Sequence, residues 1–262
     1  MTDSCADSGS ASKQLLGRDD PPAVVVTNPG RPSPWLLLGD HAGRAIPRSL
    51  AGLGLPAGAL DLHIALDIGV EALGADLSQR LDATWVRQSY SRLVIDCNRA
   101  PEAADSIPVL SDGVTIPGND NLGPGERQLR RAEIFDPYQS GIAELLDARR
   151  KRGLRTLLVS LHSFTPSLQG VERGVRFGVL HRGDSPCSER MLALLRAAEG
   201  DAVGDNEPYA MDRTDFTIPH HSDERGLDYL ELEVRQDLLS APAGAKRVSR
   251  LLAALLEEIA RG

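Results

Sequence analysis

Cysteine and aromatic residues are scarce in this 262-residue chain. The three cysteines, Cys5, Cys97 and Cys187, are an odd number at wide spacings and include no CxxC pair. Neither a disulfide framework nor a zinc ribbon is therefore predicted, and reduced thiols are the expectation. Because aromatic residues make up only 4% of the chain, Leu, Val, Ile and Ala must build the core.

An excess of basic residues and long apolar runs are also lacking. The chain has 29 Lys and Arg against 37 Asp and Glu, whereas a nucleic-acid backbone attracts clustered basic side chains, so no nucleic-acid partner is expected. No apolar run approaches the roughly 18 residues that a membrane span requires, so no membrane partner is expected. The first twenty residues lack the basic-then-apolar order of a signal peptide, and we expect a cytoplasmic protein.

The composition changes once along the chain. Residues 1–20 are small and polar, which predicts a disordered tail. Residues 21–262 show no internal repeat and no second break in composition, which predicts a single domain. A chain of this length can bury a core without covalent cross-links.

Strand and helix patterns alternate within the predicted domain. Buried strands are predicted at 23–28, 35–41, 156–162 and 175–181, and an alternating strand is predicted at 229–238. Helices are predicted at 57–82, 124–151, 188–200 and 244–261. The remaining pattern predicts a strand, a turn and a strand over 83–99 and a long loop over 100–123. This order is typical of an α/β fold with a central mixed, mostly parallel sheet covered on both faces.

Two histidines follow strongly apolar strands. His41 comes after WLLLGD and His162 after TLLVSL. In open α/β sheets, ligands bind beyond the carboxyl ends of the strands, and an imidazole there can bind a metal ion or exchange a proton. A single histidine at such a position is more often a structural, hydrogen-bonded residue. Two at matching positions favour a functional site.

Several charged residues could work with these histidines. Glu231 and Glu233 lie two apart on a predicted strand and share a face, which could alternatively be the wet side of an edge strand. Asp67 follows His63 by four residues, a helical spacing that fits either a His–Asp hydrogen bond or a metal site.

The stretch SRLVIDCNR over 91–99 is the third candidate. Alternation places Arg92, Asp96 and Asn98 on one side of the predicted strand, where an arginine could bind a carboxylate or simply face water. Three other kinds of site are disfavoured, because HExxH, glycine-rich phosphate loops and GxSxG are all absent from the chain.

Seven short segments, in this order, resemble the N-formylglutamate amidohydrolase family. They are GDHAGRAIP (39–47), HIALDIG (63–69), YSRLVIDCNR (90–99), IPGN (116–119), HSFTP (162–166), GDNEPY (204–209) and LELEVRQDL (230–238). That family resembles, more distantly, the zinc carboxypeptidases and aspartoacylases, through HSF at 162–164, EVR at 233–235 and RLVIDCNR at 92–99.

The resemblance implies a three-layer α/β sandwich of the zinc-carboxypeptidase kind that holds one Zn²⁺ ion per chain. His41 and His162 are the implied metal ligands. The carboxypeptidase pattern His-x-x-Glu lacks its acid here, because Arg44 stands in the place of the glutamate. We take Asp67 as the third ligand, with His63 as the alternative. A mixed imidazole and carboxylate set favours zinc.

The resemblance also implies roles for the other polar residues. Glu233 would transfer the proton from water to the leaving amine, and Arg92 would stabilise the oxyanion. Asn98 and Arg99 would hold the α-carboxylate of the substrate. Tyr209 would close over the substrate, and His221 would orient a neighbouring group.

The implied activity is metal-dependent hydrolysis of an N-acyl amino acid with a free carboxylate, most directly N-formyl-L-glutamate to formate and L-glutamate. One alternative is a hydrolase for a different N-acyl amino acid or a small peptide. A second is an inactive relative that binds a carboxylated ligand or a partner protein. The missing acid of His-x-x-Glu favours the inactive relative, and the presence of the other expected polar groups favours the enzyme.

Overall fold

A computed structural model describes residues 14–262, so most of the predicted N-terminal tail, residues 1–13, lies outside the described part. The folded part begins before residue 21, where the sequence had predicted the boundary. Leu15 is buried against the core, and the backbone amides of Leu15 and Leu16 donate hydrogen bonds to the Glu133 carboxylate. An apolar anchor with paired backbone groups holds this segment in place.

Eleven strands lie within the described residues. They are β1 Val24–Thr27, β2 Trp35–Gly39, β3 Thr84–Gln88, β4 Leu110–Ser111, β5 Val114–Thr115, β6 Leu157–Phe164, β7 Ser167–Leu168, β8 Val171–Glu172, β9 Phe177–Leu180, β10 Val203–Asp205 and β11 Asp228–Arg235. Seven of them form one sheet in the order β1-β3-β2-β6-β11-β9-β10, and β4–β5 and β7–β8 form separate hairpins. Parallel pairing joins β3, β2, β6 and β11, whereas β1 and β9 pair antiparallel with their inner neighbours.

Six α-helices lie within the described part of the chain and flank the sheet or its neighbouring helices. They are α1 Val70–Arg80, α2 Pro124–Arg130, α3 Asp136–Lys151, α4 Pro186–Glu199, α5 Thr217–Ser222 and α6 Pro242–Arg261. A π-helical turn joins α2 to α3, which confirms the helical run predicted over 124–151. No helix in the described part of the chain has both the length and the apolarity needed to cross a bilayer.

The two faces of the sheet bury two separate apolar clusters. On β2, Trp35 and Leu37 join the cluster that contains α1, α4 and α6, while Leu36 and Leu38 join the cluster that contains α3 and α5. A strand covered on both sides needs a continuous apolar run, which is why this strand was predicted from sequence. The predicted three-layer sandwich with a mixed, mostly parallel sheet is confirmed.

The helix predicted over 57–82 is shorter in the structure. Only Val70–Arg80 is α-helical, preceded by a 3-10 turn at Ala59–Asp61. Gly58 and Gly69 have φ angles of 82° and 85°, a left-handed conformation that an α-helix cannot include. Asp67 therefore lies on a loop before α1, and the helical spacing inferred between His63 and Asp67 is wrong.

The second strand predicted within 83–99 is also absent from the structure. Residues 91–99 form consecutive turns, with hydrogen bonds from the Val94 amide to the Ser91 carbonyl and from the Arg99 amide to the Asp96 carbonyl. The alternation of side chains inferred for this stretch is therefore wrong. Its polar side chains reach the site from a folded loop.

Candidate active site

A cavity of about 380 Å³ opens where β2, β6 and β11 end. This volume lies within the range of about 300–1,000 Å³ that is usual for small-molecule sites. Eight of the nine residues predicted from the sequence line the cavity: His41, Asp67, Arg92, Asn98, Arg99, His162, Tyr209 and Glu233.

Three of these side chains form a compact, buried cluster. The ligand atoms of His41, Asp67 and His162 all lie within 4.8 Å of one another. The Asp67 Oδ2 atom is 3.0 Å from the Nδ1 of His162 and 3.6 Å from the Nδ1 of His41. Ligands about 2.0–2.1 Å from a tetrahedral zinc ion are separated by roughly 3.3 Å, so the two spacings from Asp67 fit such an ion.

The hydrogen bonds of His41 leave one ring nitrogen for a ligand. Its Nε2 lies 2.7 Å from Asp96 Oδ1, so Nε2 carries the proton and donates it to this carboxylate. Its Nδ1 is buried and has no hydrogen-bond partner within residues 14–262. A metal ion placed between His41 and Asp67 would bind this buried nitrogen through its lone pair.

His162 is oriented in the same way. Its Nε2 lies 2.9 Å from the Ser160 hydroxyl, which donates to Asp40 at 3.2 Å, so Nε2 donates to Ser160 and Nδ1 faces Asp67. Thr217 donates to the second oxygen of Asp40. The sequence reasoning missed Asp40 and Ser160 and gave Asp96 no role. The available signal was their position beside the candidate ligands, one residue before His41 and two before His162.

Asp67 is held as a carboxylate. Burial alone would raise its pKa, but the neighbouring imidazoles of His41 and His162 lower it far below the usual range. The backbone amide of Ser163 also donates to Oδ2. An ionised acid between two imidazoles supplies the negative charge that a divalent cation requires.

Glu231 and Glu233 face the cavity from β11. Because β11 lies between β6 and β9, the alternative of an edge strand with wet glutamates is wrong. Glu233 is paired in register with His162 and Glu231 with Ser160. Burial raises the pKa of Glu233 to about 7 and that of Glu231 to about 8. The Oε2 atom of each has no hydrogen-bond partner in the described part of the chain.

Arg92 lies at the edge of the metal-ligand cluster. Its Nε and Nη2 donate to Asp96 Oδ2 at 3.1 and 2.8 Å, and its Nη1 is 3.4 Å from Asp67 Oδ1. The guanidinium thus bridges Asp96, which holds His41, and Asp67, which belongs to the metal-ligand cluster. Its side chain remains 27% exposed, which leaves it open to a ligand in the cavity.

Asn98 and Arg99 tie the same loop to the segment before α5. The Asn98 Oδ1 accepts hydrogen bonds from the backbone amides of Phe216 and Thr217. Arg99 lies 3.2 Å from the Asp105 carboxylate and 3.5 Å from that of Asp215. Both residues therefore line the cavity and also hold its wall together.

The remaining predicted residues divide into two groups. Tyr209 lines the cavity mouth and is 43% exposed. His63, the alternative metal ligand, also lines the cavity, but it pairs with Asp112 at 3.1 Å and lies outside the cluster of ligand atoms.

His221, predicted among the substrate-binding residues as one that orients a neighbouring group, lies away from the cavity. His221 is fully buried and does not line the cavity. It donates from Nε2 to Gln139 Oε1 at 2.8 Å, and burial lowers its pKa to about 3. The short helix α5 directs this side chain toward α3, a direction set by packing that local sequence does not encode.

Comparisons with known proteins agree with this geometry. Residues 33–240 match the family model described as N-formylglutamate amidohydrolase. The structure is similar to the gene product Atu2144 of Agrobacterium tumefaciens, with 33% identity, a TM-score of 0.90, and coverage of 94% of this chain and 98% of that one. The N-formylglutamate amidohydrolase of Ralstonia eutropha has the same fold, with 21% identity, a TM-score of 0.66, and coverage of 91% and 97%. A comparison with curated proteins gave no significant match. On the extent of the family match, the chain belongs to the N-formylglutamate amidohydrolase family.

Proposed function

We propose that this chain uses a divalent metal ion, Zn²⁺ in the first instance, to hydrolyse the amide bond of an N-formyl amino acid, with N-formyl-L-glutamate as the first substrate to test. The observation that carries this proposal is the buried Nδ1 of His41, which has no hydrogen-bond partner among residues 14–262 and lies beside Asp67 and His162. Membership of the family supports an amidohydrolase activity.

The donor set supports zinc. Two imidazole nitrogens and one carboxylate oxygen are ligands that zinc prefers, and three protein ligands are typical of catalytic rather than structural zinc sites. When bound, such an ion activates water near neutral pH and polarises the carbonyl group of the substrate. Asp96 and Ser160 fix the tautomers that direct both Nδ1 atoms toward this position.

Glu233 is the proposed proton carrier. Its carboxyl is buried next to His162, and its Oε2 has no hydrogen-bond partner among the residues that the structure describes, so it can take a proton from the attacking water. It then delivers that proton to the amine nitrogen as the amide bond breaks. Burial raises its pKa to about 7, and a group with a pKa near the working pH both accepts and releases a proton efficiently.

The arginines provide the proposed contacts to substrate oxygens. Arg92 stabilises the negative charge that develops on the carbonyl oxygen, from its position beside the cluster. Arg99 binds the α-carboxylate, with Asn98 contributing its amide and holding the wall around it. Tyr209 covers the substrate at the mouth.

The decisive experiment measures the metal content of the purified protein together with release of formate from N-formyl-L-glutamate, before and after chelation. We expect about one zinc ion per chain, with activity lost on chelation and restored by added Zn²⁺. Glu233→Gln should keep the metal and lose about 10²–10⁴-fold in kcat. His162→Ala should lose the metal. The matched control for Glu233→Gln is Glu257→Gln, a change at an exposed residue of α6.

Two outcomes would contradict the proposal. A His162→Ala variant that binds zinc as tightly as the wild type would remove the ligand assignment. A metal-free, inert protein with an intact fold would favour the inactive relative. Testing N-acetyl and N-succinyl amino acids in the same assay distinguishes the remaining alternative, a hydrolase for another acyl group.

A further inference from the structure

A third arginine, Arg173, lies next to the cavity and contacts three residues that line it. Arg173 directly follows the β7–β8 hairpin, and its guanidinium carbon is 4.8 Å from the ring centroid of Tyr209 and 5.7 Å from that of Phe164. Both rings line the cavity, as does Thr165, which Arg173 also contacts. Guanidinium groups stack favourably on aromatic faces, so these rings fix the plane of Arg173.

The hydrogen bonds of Arg173 leave one edge of the guanidinium free. Its Nη1 donates to the Tyr209 hydroxyl at 3.0 Å and is 3.4 Å from both the carbonyl and the hydroxyl oxygen of Thr165. All three acceptors are neutral. Within residues 14–262, no acceptor is bound at Nε or Nη2 and no carboxylate pairs with this side chain. The Nε–Nη2 edge is one that can bind a carboxylate through two parallel hydrogen bonds.

The other two arginines of the cavity already have acidic partners. Arg92 donates to Asp96 through both Nε and Nη2, and Arg99 faces Asp105 and Asp215. A substrate with two carboxylates requires a further positive charge that is not already neutralised. Arg173 provides it.

Two hydrogen bonds hold the backbone of Arg173 in place. Its amide donates to the Pro166 carbonyl at 2.8 Å, and its carbonyl accepts from Nη1 of Arg235, at the end of β11, at 3.0 Å. The residue is thereby anchored to the same strand that carries Glu233. Such pre-organisation reduces the entropy lost when a ligand binds.

We propose that Arg173 determines specificity by binding a carboxylate on the amino-acid side chain of the substrate, through its Nε–Nη2 edge, while Arg99 holds the α-carboxylate. This rests on the proposed function and deepens it by naming the residue that would distinguish an acidic side chain of the substrate from a neutral one. Tyr209 is the positioning residue that holds the guanidinium in plane.

The test compares N-formyl-L-glutamate with N-formyl-L-glutamine, which have nearly the same shape and differ in the charge of the side chain. In Arg173→Gln, the ratio of kcat/KM for the glutamate over the glutamine substrate should fall about ten- to a hundredfold, the effect of a lost charge-assisted pair. Arg173→Lys keeps the charge without the two-pronged geometry and should lie in between. Arg190→Gln, which removes an exposed arginine paired with Glu258, is the matched control.

The outcomes separate this inference from the proposed function. If the wild type hydrolyses both substrates and Arg173→Gln leaves their ratio unchanged, the inference is overturned while the proposed function stands. An equal loss for both substrates assigns Arg173 a purely structural role and also overturns it. If the wild type hydrolyses neither, calorimetric titration with L-glutamate and L-glutamine decides: weaker binding of glutamate alone in Arg173→Gln supports the inference, and equal binding overturns it.

Discussion

At the scale of single residues, the second ring nitrogen of each candidate ligand decides what the first can bind. Asp96 accepts a hydrogen bond from Nε2 of His41, and the Ser160 hydroxyl accepts one from Nε2 of His162. Each imidazole therefore has its Nδ1 turned toward Asp67, where that nitrogen is available to a metal ion once it is unprotonated. Partners of this kind fix the tautomer and make the imidazole a stronger ligand. The acid that holds His41 is as much a part of the candidate metal centre as the histidine itself.

The first residue-scale prediction concerns Asp96→Asn. This change keeps the shape but removes the charge that holds His41, and its amide can point a donor at Nε2. We expect zinc affinity to fall about 10–100-fold, measured by competition with a chromophoric chelator. Asp76→Asn, which affects an acid paired with Arg80 on α1, is the control. Equal zinc affinity for Asp96→Asn and the wild type would show that Asp96 does not orient the ligand.

At the scale of secondary-structure elements, the central strands could be predicted and the loop over 91–99 could not. β2 and β6 are buried on both faces, and a strand buried in this way needs a continuous apolar run, which can be recognised in the sequence. Their ends carry His41 and His162, and this is why the ligand pair was found from sequence. The loop also has apolar residues, but distant polar side chains fold it. Asn119 donates to the Leu93 carbonyl and Arg130 to the Val94 carbonyl.

Arg130 is the element-scale test of this explanation. It is 1% exposed, and besides Val94 it donates to the carbonyl of Gly118 and to the Asn119 side chain. Arg130→Met should leave these acceptors unpaired and lower the free energy of unfolding by about 3 kcal/mol, measured with urea. Arg127→Met, exposed on α2, should change it by less than about 0.5 kcal/mol. A loss no larger than that of the control would mean that the loop folds without this arginine.

At the scale of the whole molecule, the sheet has ionisable groups on the cavity side and a neutral histidine behind them. His221 is packed between α5 and α3, where it faces Gln139 and lies close to His220 and Arg225. Its Nδ1 is buried without a partner in the described residues. Burial opposes the charged imidazolium, and repulsion from Arg225, and from His220 when that ring is protonated, adds to this effect, so the pKa falls to about 3.

This neutral histidine predicts how global stability depends on pH. In the unfolded chain, the pKa of His221 returns to about 6.5, so between pH 6.5 and 3 the unfolded state binds a proton that the folded state does not. The free energy of unfolding therefore falls as the pH falls through this window, and from pH 7 to 5 this histidine accounts for about 2 kcal/mol of the loss. His221→Gln keeps a neutral amide donor and removes the titration. The difference in free energy of unfolding, variant minus wild type, should be about 2 kcal/mol larger at pH 5 than at pH 7, measured by urea unfolding with chelator present.

Between pH 7 and 8 this difference should stay nearly constant, because the imidazole is then neutral in both the folded and the unfolded state. A difference that is the same at pH 7 and pH 5 would mean that His221 can charge in the folded protein, which its contacts with Gln139 and the apolar interior oppose.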